Sequence, residues 1–146
     1  MGYNVKEIVL RHMNRKGSCG YGIKEVQQAG SIKELIDLML TPKGIEHCME
    51  FQFPDIKLLL QHKDELKTHH VYVDGDHTLK NAQLVVVFGG NITLTIDDYN
   101  VSQVYATNDA KVKIIATGNA YVTAERHHNA EIAKVTNGNA SVKIFG

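Results

Sequence analysis

From Asn81 to Gly146 the chain repeats a ten-residue unit six and a half times, and this limits its fold more than anything else: NAQLVVVFGG, NITLTIDDYN, VSQVYATNDA, KVKIIATGNA, YVTAERHHNA, EIAKVTNGNA and SVKIFG. Ala110, Ala120, Ala130 and Ala140 share one column, each after Asp or Asn, and Ile92, Val112, Val122, Ile132 and Val142 fill another. Even positions are apolar or small, as in Ala110, Val112, Ile114 and Ala116, while odd positions are largely polar. Period two over about six residues marks a strand with one buried face. Each strand stops at a Thr-Asn-Asp, Thr-Gly-Asn or Asn-Gly-Asn cluster, residues that accept positive φ or bond their own backbone in turns. One unit is therefore one strand and one corner.

Two topologies share that description: an antiparallel meander with a hairpin at each corner, and a β-solenoid in which two units form a coil that stacks on the next two. The small alanine after each corner favours the solenoid, because a flattened coil leaves little room inside a bend and stacking sets like residues over like. Gly118 and Gly138, and Asn119 and Asn139, would then lie in register.

The units Gly118-Asn119-Ala120-x-Val122-x-Ala124 and Gly138-Asn139-Ala140-Ser141-Val142 resemble the G-N-A-x-V-x-A decapeptide repeats of many proteins of gut bacteria and their phages, generally read as β-solenoids. The resemblance covers less than half of the chain. It implies a shape, and a shape carries no chemistry of its own.

The repeat also breaks. Lys134 and Thr136 take inward positions while Ala133 and Val135 take outward ones, which predicts a bulge or register change between Glu131 and Thr136. Arg126 and His128 also fall on the inward parity, and a wider, water-exposed corner is expected there.

Ahead of the repeat the pattern is helical. Asn4 to Arg15 spaces Val5, Ile8, Val9, His12 and Met13 by three and four, with Lys6, Arg11 and Arg15 on the wet side. Gly17-Ser18-Cys19-Gly20-Tyr21-Gly22 reads as a connector, since no strand precedes it and no Lys-Ser/Thr follows as a phosphate loop requires. A short helix from Gly22 to Ala29 precedes Ser31-Ile-Lys-Glu34, a capping box that opens a helix through Leu40. Neither helix has a basic face, which weighs against a DNA-reading pair. Thr41-Pro42 starts a further helix to about Phe51, and Phe53-Pro54-Asp55 starts another that runs to Lys67 with Ile56, Leu59, Leu60 and Leu66 as its stripe. Val71-Tyr72-Val73 is a strand, and Asp74-Gly75-Asp76 is a plain turn that lacks the later ligands of a calcium loop. The expected fold is α+β: a bundle of short helices over 1–70 capping a β-solenoid of about three two-stranded coils over 71–146.

Sixteen basic and sixteen acidic residues cancel, which indicates neither a nucleic-acid surface nor an acidic mimic of one. No apolar run is long enough to span a bilayer, and the first residues lack a secretory core, so a cytoplasmic chain is expected. Two cysteines are too few for a disulfide framework. His47-Cys48 with Cys19 lacks any ligand spacing, so neither a metal nor another cofactor is expected. His127-His128 replaces the Gly-Asn of neighbouring corners, beside Arg126 and near Tyr121. Imidazole, guanidinium and phenol (Tyr121, Arg126, His127, His128) could bind an anionic metabolite or nucleotide. No nucleophile-base-acid set stands out, and an enzyme is not expected.

The fifth column, with Val85, Tyr105, Ile115, Val135 and Phe145, has outward parity and forms apolar stripes that need a cover. The last coil, with Val142, Ile144 and Phe145, offers unpaired backbone and a slice of core. Tyr105, Ile115, Val135, Val142, Ile144 and Phe145 are therefore the expected oligomer interface, by end-to-end or side-by-side packing of copies. The leading functional expectation is a non-catalytic, homo-oligomeric binding or assembly module that presents its corners or bundle to a protein partner. On the company such repeats keep, it would be a phage or mobile-element accessory protein acting on a host protein. The alternative is a protein that sequesters a small anionic ligand.

Overall fold

A computed structural model of the protein describes residues 2–15 and 27–146. The glycine-rich connector, Cys19 and most of the helix expected over Gly22–Ala29 lie outside the described residues. Among the described residues, five complete helices precede nine strands: α1 (Gly2–Arg15), α2 (Ile32–Met39), α3 (Pro42–Phe51), α4 (Ile56–Gln61), α5 (Lys63–Thr68), then β1 (Val71–Tyr72), β2 (Asp76–Lys80), β3 (Leu84–Val87), β4 (Asn91–Ile96), β5 (Val101–Ala106), β6 (Lys111–Ala116), β7 (Tyr121–Arg126), β8 (Glu131–Thr136) and β9 (Ser141–Phe145). By compactness the chain divides into Met1–Cys48 and Met49–Gly146.

In the first unit the start signals act as the sequence predicts, with one change of partner. The Ser31 hydroxyl accepts from the Glu34 amide at 3.2 Å, but the Glu34 carboxylate returns to the Gly30 amide at 2.8 Å rather than to Ser31. Thr41 caps α3 by accepting from the Gly44 amide at 3.1 Å. On α1, His12 is buried but Ile8 is exposed, and the Lys6 ammonium, expected in water, donates to the Ala29 carbonyl at 2.9 Å.

In the second unit the single helix expected from Pro54 to Lys67 is two. Asp55 caps α4 by accepting from the Lys57 amide, and the helix stops at His62, whose φ of −123° leaves the helical range. Leu59 and Leu66 are buried as expected, whereas Leu60 faces out. The α5 helix packs on β1.

All strand pairs are parallel, and they form two sheets, β1-β3-β5-β7-β9 and β2-β4-β6-β8. From β4 onward each strand pairs with the next strand of its sheet at a separation of twenty residues, as in Ile92↔Val112 and Val122↔Val142. Successive decapeptides thus alternate between two facing sheets, and residues 84–145 make a solenoid of about three turns. The meander is excluded, because its neighbours would run antiparallel. The even column meets in one core in which Leu94, Ile114, Ala106, Ala116, Val122 and Ala124 are all sealed from solvent. Alanine suits the bends, where two corners of the same coil close on the interior.

Two register expectations are corrected. β8 pairs with β6 residue for residue from Lys111↔Glu131 to Ala116↔Thr136, so no bulge occurs and Lys134 keeps its inward parity. Val85 lies inside, because β3 pairs with β5 at an offset of nineteen (Val85↔Val104), which exchanges odd for even. The apolar run Val85-Val86-Val87-Phe88 is buried on both faces, so its own pattern could not show which parity points in.

Candidate functional site

The corners set the geometry of the solenoid's sides. At each, the second residue of a four-residue turn has left-handed φ: Asp98 (57°), Asn108 (58°), Gly118 (67°), His128 (59°) and Gly138 (67°). The fourth amide donates to the first carbonyl, as from Ala110 to Thr107 and from Ala130 to His127, both at 3.2 Å. The corner at His127-His128 is therefore the same size as its neighbours and not the wider one expected.

Its side chains are held by the protein itself. His128 Nε2 lies 2.8 Å from the Met49 carbonyl, which can only accept, so Nε2 carries the proton. One rung below, Asn108 Nδ2 donates to the Phe88 carbonyl at 2.9 Å while its Oδ1 accepts from Gln52 Nε2 at 3.1 Å. Two stacked corners thus fasten the end of α3 to the solenoid's side. His127 Nε2 meets Glu125 Oε1 at 3.3 Å, and Arg126 donates to the Gly146 carbonyl at 3.4 Å. Tyr121 begins β7 and Arg126 ends it, so five residues of extended chain, about 16 Å, separate the phenol from the corner. The structure brings Arg126, His127 and His128 to one corner and leaves Tyr121 at the opposite side.

The outer sheet faces carry the more distinctive surface. On the five-stranded sheet, parallel register stacks Val101–Tyr121–Ser141 and Tyr105–Glu125–Phe145 as columns. On the four-stranded sheet it stacks Thr95–Ile115–Val135. The expected interface residues are accordingly split three ways. Tyr105 and Phe145 share one face, Ile115 and Val135 share the other, and Val142 and Ile144 point into the core. Phe145 is 53% and Val135 43% exposed.

Sequence reasoning passed over Tyr99 and Val101, which are 77% and 57% exposed beside the 38% exposed Tyr121. Tyr99 stands on the corner leading into β5, Val101 opens that strand, and Tyr121 sits directly above Val101. The Lys143 ammonium lies 5.8 Å from the Tyr121 ring centroid, within reach of a cation–π contact. Pairing the decapeptides by twenties, rather than comparing them one by one, would have set Val101 and Tyr121 in a single column. Burial, and secondarily the Glu125 charge beside it, raises the Tyr105 phenol above its ordinary value and keeps it a hydrogen-bond donor.

In the first unit His12 and His47 meet Nε2 to Nε2 at 2.9 Å with rings nearly perpendicular, a pairing across thirty-five residues that no local spacing announces. Burial pushes the adjacent Cys48 thiol up to about 12, so it remains protonated at neutral pH. Among the described residues no group of three or more His, Cys, Asp or Glu is placed to hold a metal ion. Nor is any helix among them long and apolar enough to cross a membrane. Compared with protein-family models, curated proteins and solved structures, the chain matches none.

Proposed function

We propose that this protein is a non-catalytic binding and assembly module that works as a homo-oligomer, its solenoid serving as a rigid block with adhesive outer faces. The observation that carries the reading is the exposed apolar group formed by Val101 and Tyr121 on the five-stranded sheet and Tyr99 on the corner leading into it, with Phe145 two columns away on the same face. A flat face of fixed parallel strands loses little conformational entropy on docking, so apolar contact there converts efficiently into affinity. Aromatic residues with a polar tip, as at Tyr99 and Tyr121, are the type enriched where proteins meet.

The G-N-A-x-V-x-A character of its units supports reading the chain as akin to the decapeptide-repeat proteins of gut bacteria and phages, and on that reading it is a phage or mobile-element accessory protein acting on a host protein. The hydrogen bonds that engage Arg126, His127 and His128 within the chain favour this reading over capture of a small anion.

Sedimentation velocity of the wild type and of Val101→Lys at micromolar concentration tests the proposal. A wild-type oligomer that dissociates on substitution is expected. A monomeric wild type would contradict it. Retention of a host protein by the wild type and its loss from Val101→Lys would identify the same face as the partner site.

A further inference from the structure

The inward column Leu94–Ile114–Lys134 runs through the four-stranded sheet in unbroken register. Its first two members are wholly buried, and its third, on the edge strand β8, is a lysine. The Lys134 stem therefore starts from the core side of the last rung, and its ammonium must find a partner without crossing to the outer face. It donates to the Val142 carbonyl on β9, the edge strand of the facing sheet, at 3.0 Å.

That carbonyl has a defined place in the ladder. In each rung from β4 and β5 upward an even-numbered carbonyl accepts from the amide twenty-one residues on: Ala106 from His127, Ala110 from Glu131, Ala116 from Asn137 and Ala120 from Ser141, at 2.9 to 3.0 Å. By the same rule Val142 offers the acceptor that a further rung on β9 would use. Lys134 occupies it. Any strand laid on β8 would also have to bury the ammonium above Ile114, with a neutral carbonyl and no carboxylate as its partner, and burying a charge without a counter-charge is costly. Charged residues that point inward on an edge strand are a known guard against edge-to-edge pairing.

We infer that Lys134 closes this end of the solenoid to the addition of another chain's strands, so that copies meet through the sheet faces and not by extending the ladder. The closure is a property of the edge alone. Only its consequence for how copies meet rests on the assembly reading above.

The test compares the sedimenting mass of the wild type with Lys134→Ile, which continues the column as Ile114 does, and with Lys143→Ile. Lys143 lies on the same edge, and its removal makes the same change of charge at outward parity. Lys134→Met, which keeps a straight stem without the ammonium, is the second inward variant. Lys134→Ile and Lys134→Met are expected to add a species of twice the wild-type mass that grows with concentration, as two opened ends pair; Lys143→Ile should not. The inference is overturned if the inward variants keep the wild-type mass at every concentration, if Lys143→Ile doubles as readily, or if both inward variants lose the solenoid's circular-dichroism signal. The last outcome would mean that the column cannot accept an apolar residue there. The wild-type mass alone decides the assembly reading, and the change on substitution decides this one, so the two can fail separately.

Discussion

Asn139 lies one rung above Asn119 and donates from Nδ2 to its Oδ1 at 3.3 Å, while its own amide donates to the Gly118 carbonyl at 2.8 Å. Like residues are thus stacked over like at a spacing of twenty, and the corners are as regular as the strands. Gly118 has φ of +67°, and a Cβ there would sit 3.1 Å from the Asp98 amide nitrogen. Gly118→Ala is expected to cost about 1–2 kcal/mol, the penalty of left-handed backbone with a side chain. Gly118→Asn, which copies Asn108 at φ 58°, should cost less. Urea unfolding of both checks this, and equal losses would contradict the corner geometry.

Two hydroxyls buried in the same unit are expected to respond in opposite ways. Ser102 donates to the Ala82 carbonyl at 2.6 Å, whereas Thr107 is buried with no partner for its hydroxyl among the described residues. Ser102→Ala strands a buried carbonyl and should lower unfolding free energy by about 1–3 kcal/mol. Thr107→Val keeps the shape and removes an unpaired polar atom, so it should be neutral or stabilising.

His128 is expected to act as a fastener for the end of α3. His128→Asn retains a residue that tolerates left-handed φ but shortens the reach to the Met49 carbonyl. Amide exchange over residues 49–52 should quicken while the strands stay protected, with a stability loss of about 1 kcal/mol. Unchanged exchange there would show that the bond does not hold the helix end.

Asp97 sets an acid limit on the first corner. The Asn81 side-chain bond, aided by Lys80 and Asn100 and opposed by partial burial, holds its carboxyl below the ordinary carboxylate value. A depressed folded value contributes stability above the unfolded carboxylate range, near pH 4, and that contribution is lost as pH falls through the folded value. Asn81→Ala should raise the Asp97 midpoint in a carboxyl-resolved NMR titration. An unmoved midpoint would mean that the Asn81 bond is not the cause.

The parts legible in the sequence are those decided by short-range pattern. Period two fixes which of Val112, Ile114 and Ala116 turn inward, Asn and Gly mark the left-handed corner residue, and Ser31 and Thr41 announce helix starts. The parts that were not legible depend on neighbours far along the chain. His128 meets Met49 across seventy-nine residues, and Val85 turns inward because β3 is offset by nineteen. Lys134 suggested a slip because a charge inside a stack is costly. At an edge rung the interior is open on one side, and the ammonium reaches a carbonyl there without any slip. Tyr99 and Val101 escaped notice, and Tyr121 was grouped with the His127 corner, because a polar alternation was read unit by unit, whereas their patch exists only once units are paired by twenties.

The most direct measurement of the whole account is a nuclear Overhauser spectrum that resolves contacts between strands. Residues twenty apart should be neighbours in parallel register, with cross-peaks joining Ile92 to Val112, Val122 to Val142, and Ile114 to Lys134. Strong Hα–Hα contacts between consecutive decapeptides, such as β5 with β6 or β6 with β7, would instead mean antiparallel hairpins. The rung stack, its sheet faces and its guarded edge would then all be contradicted.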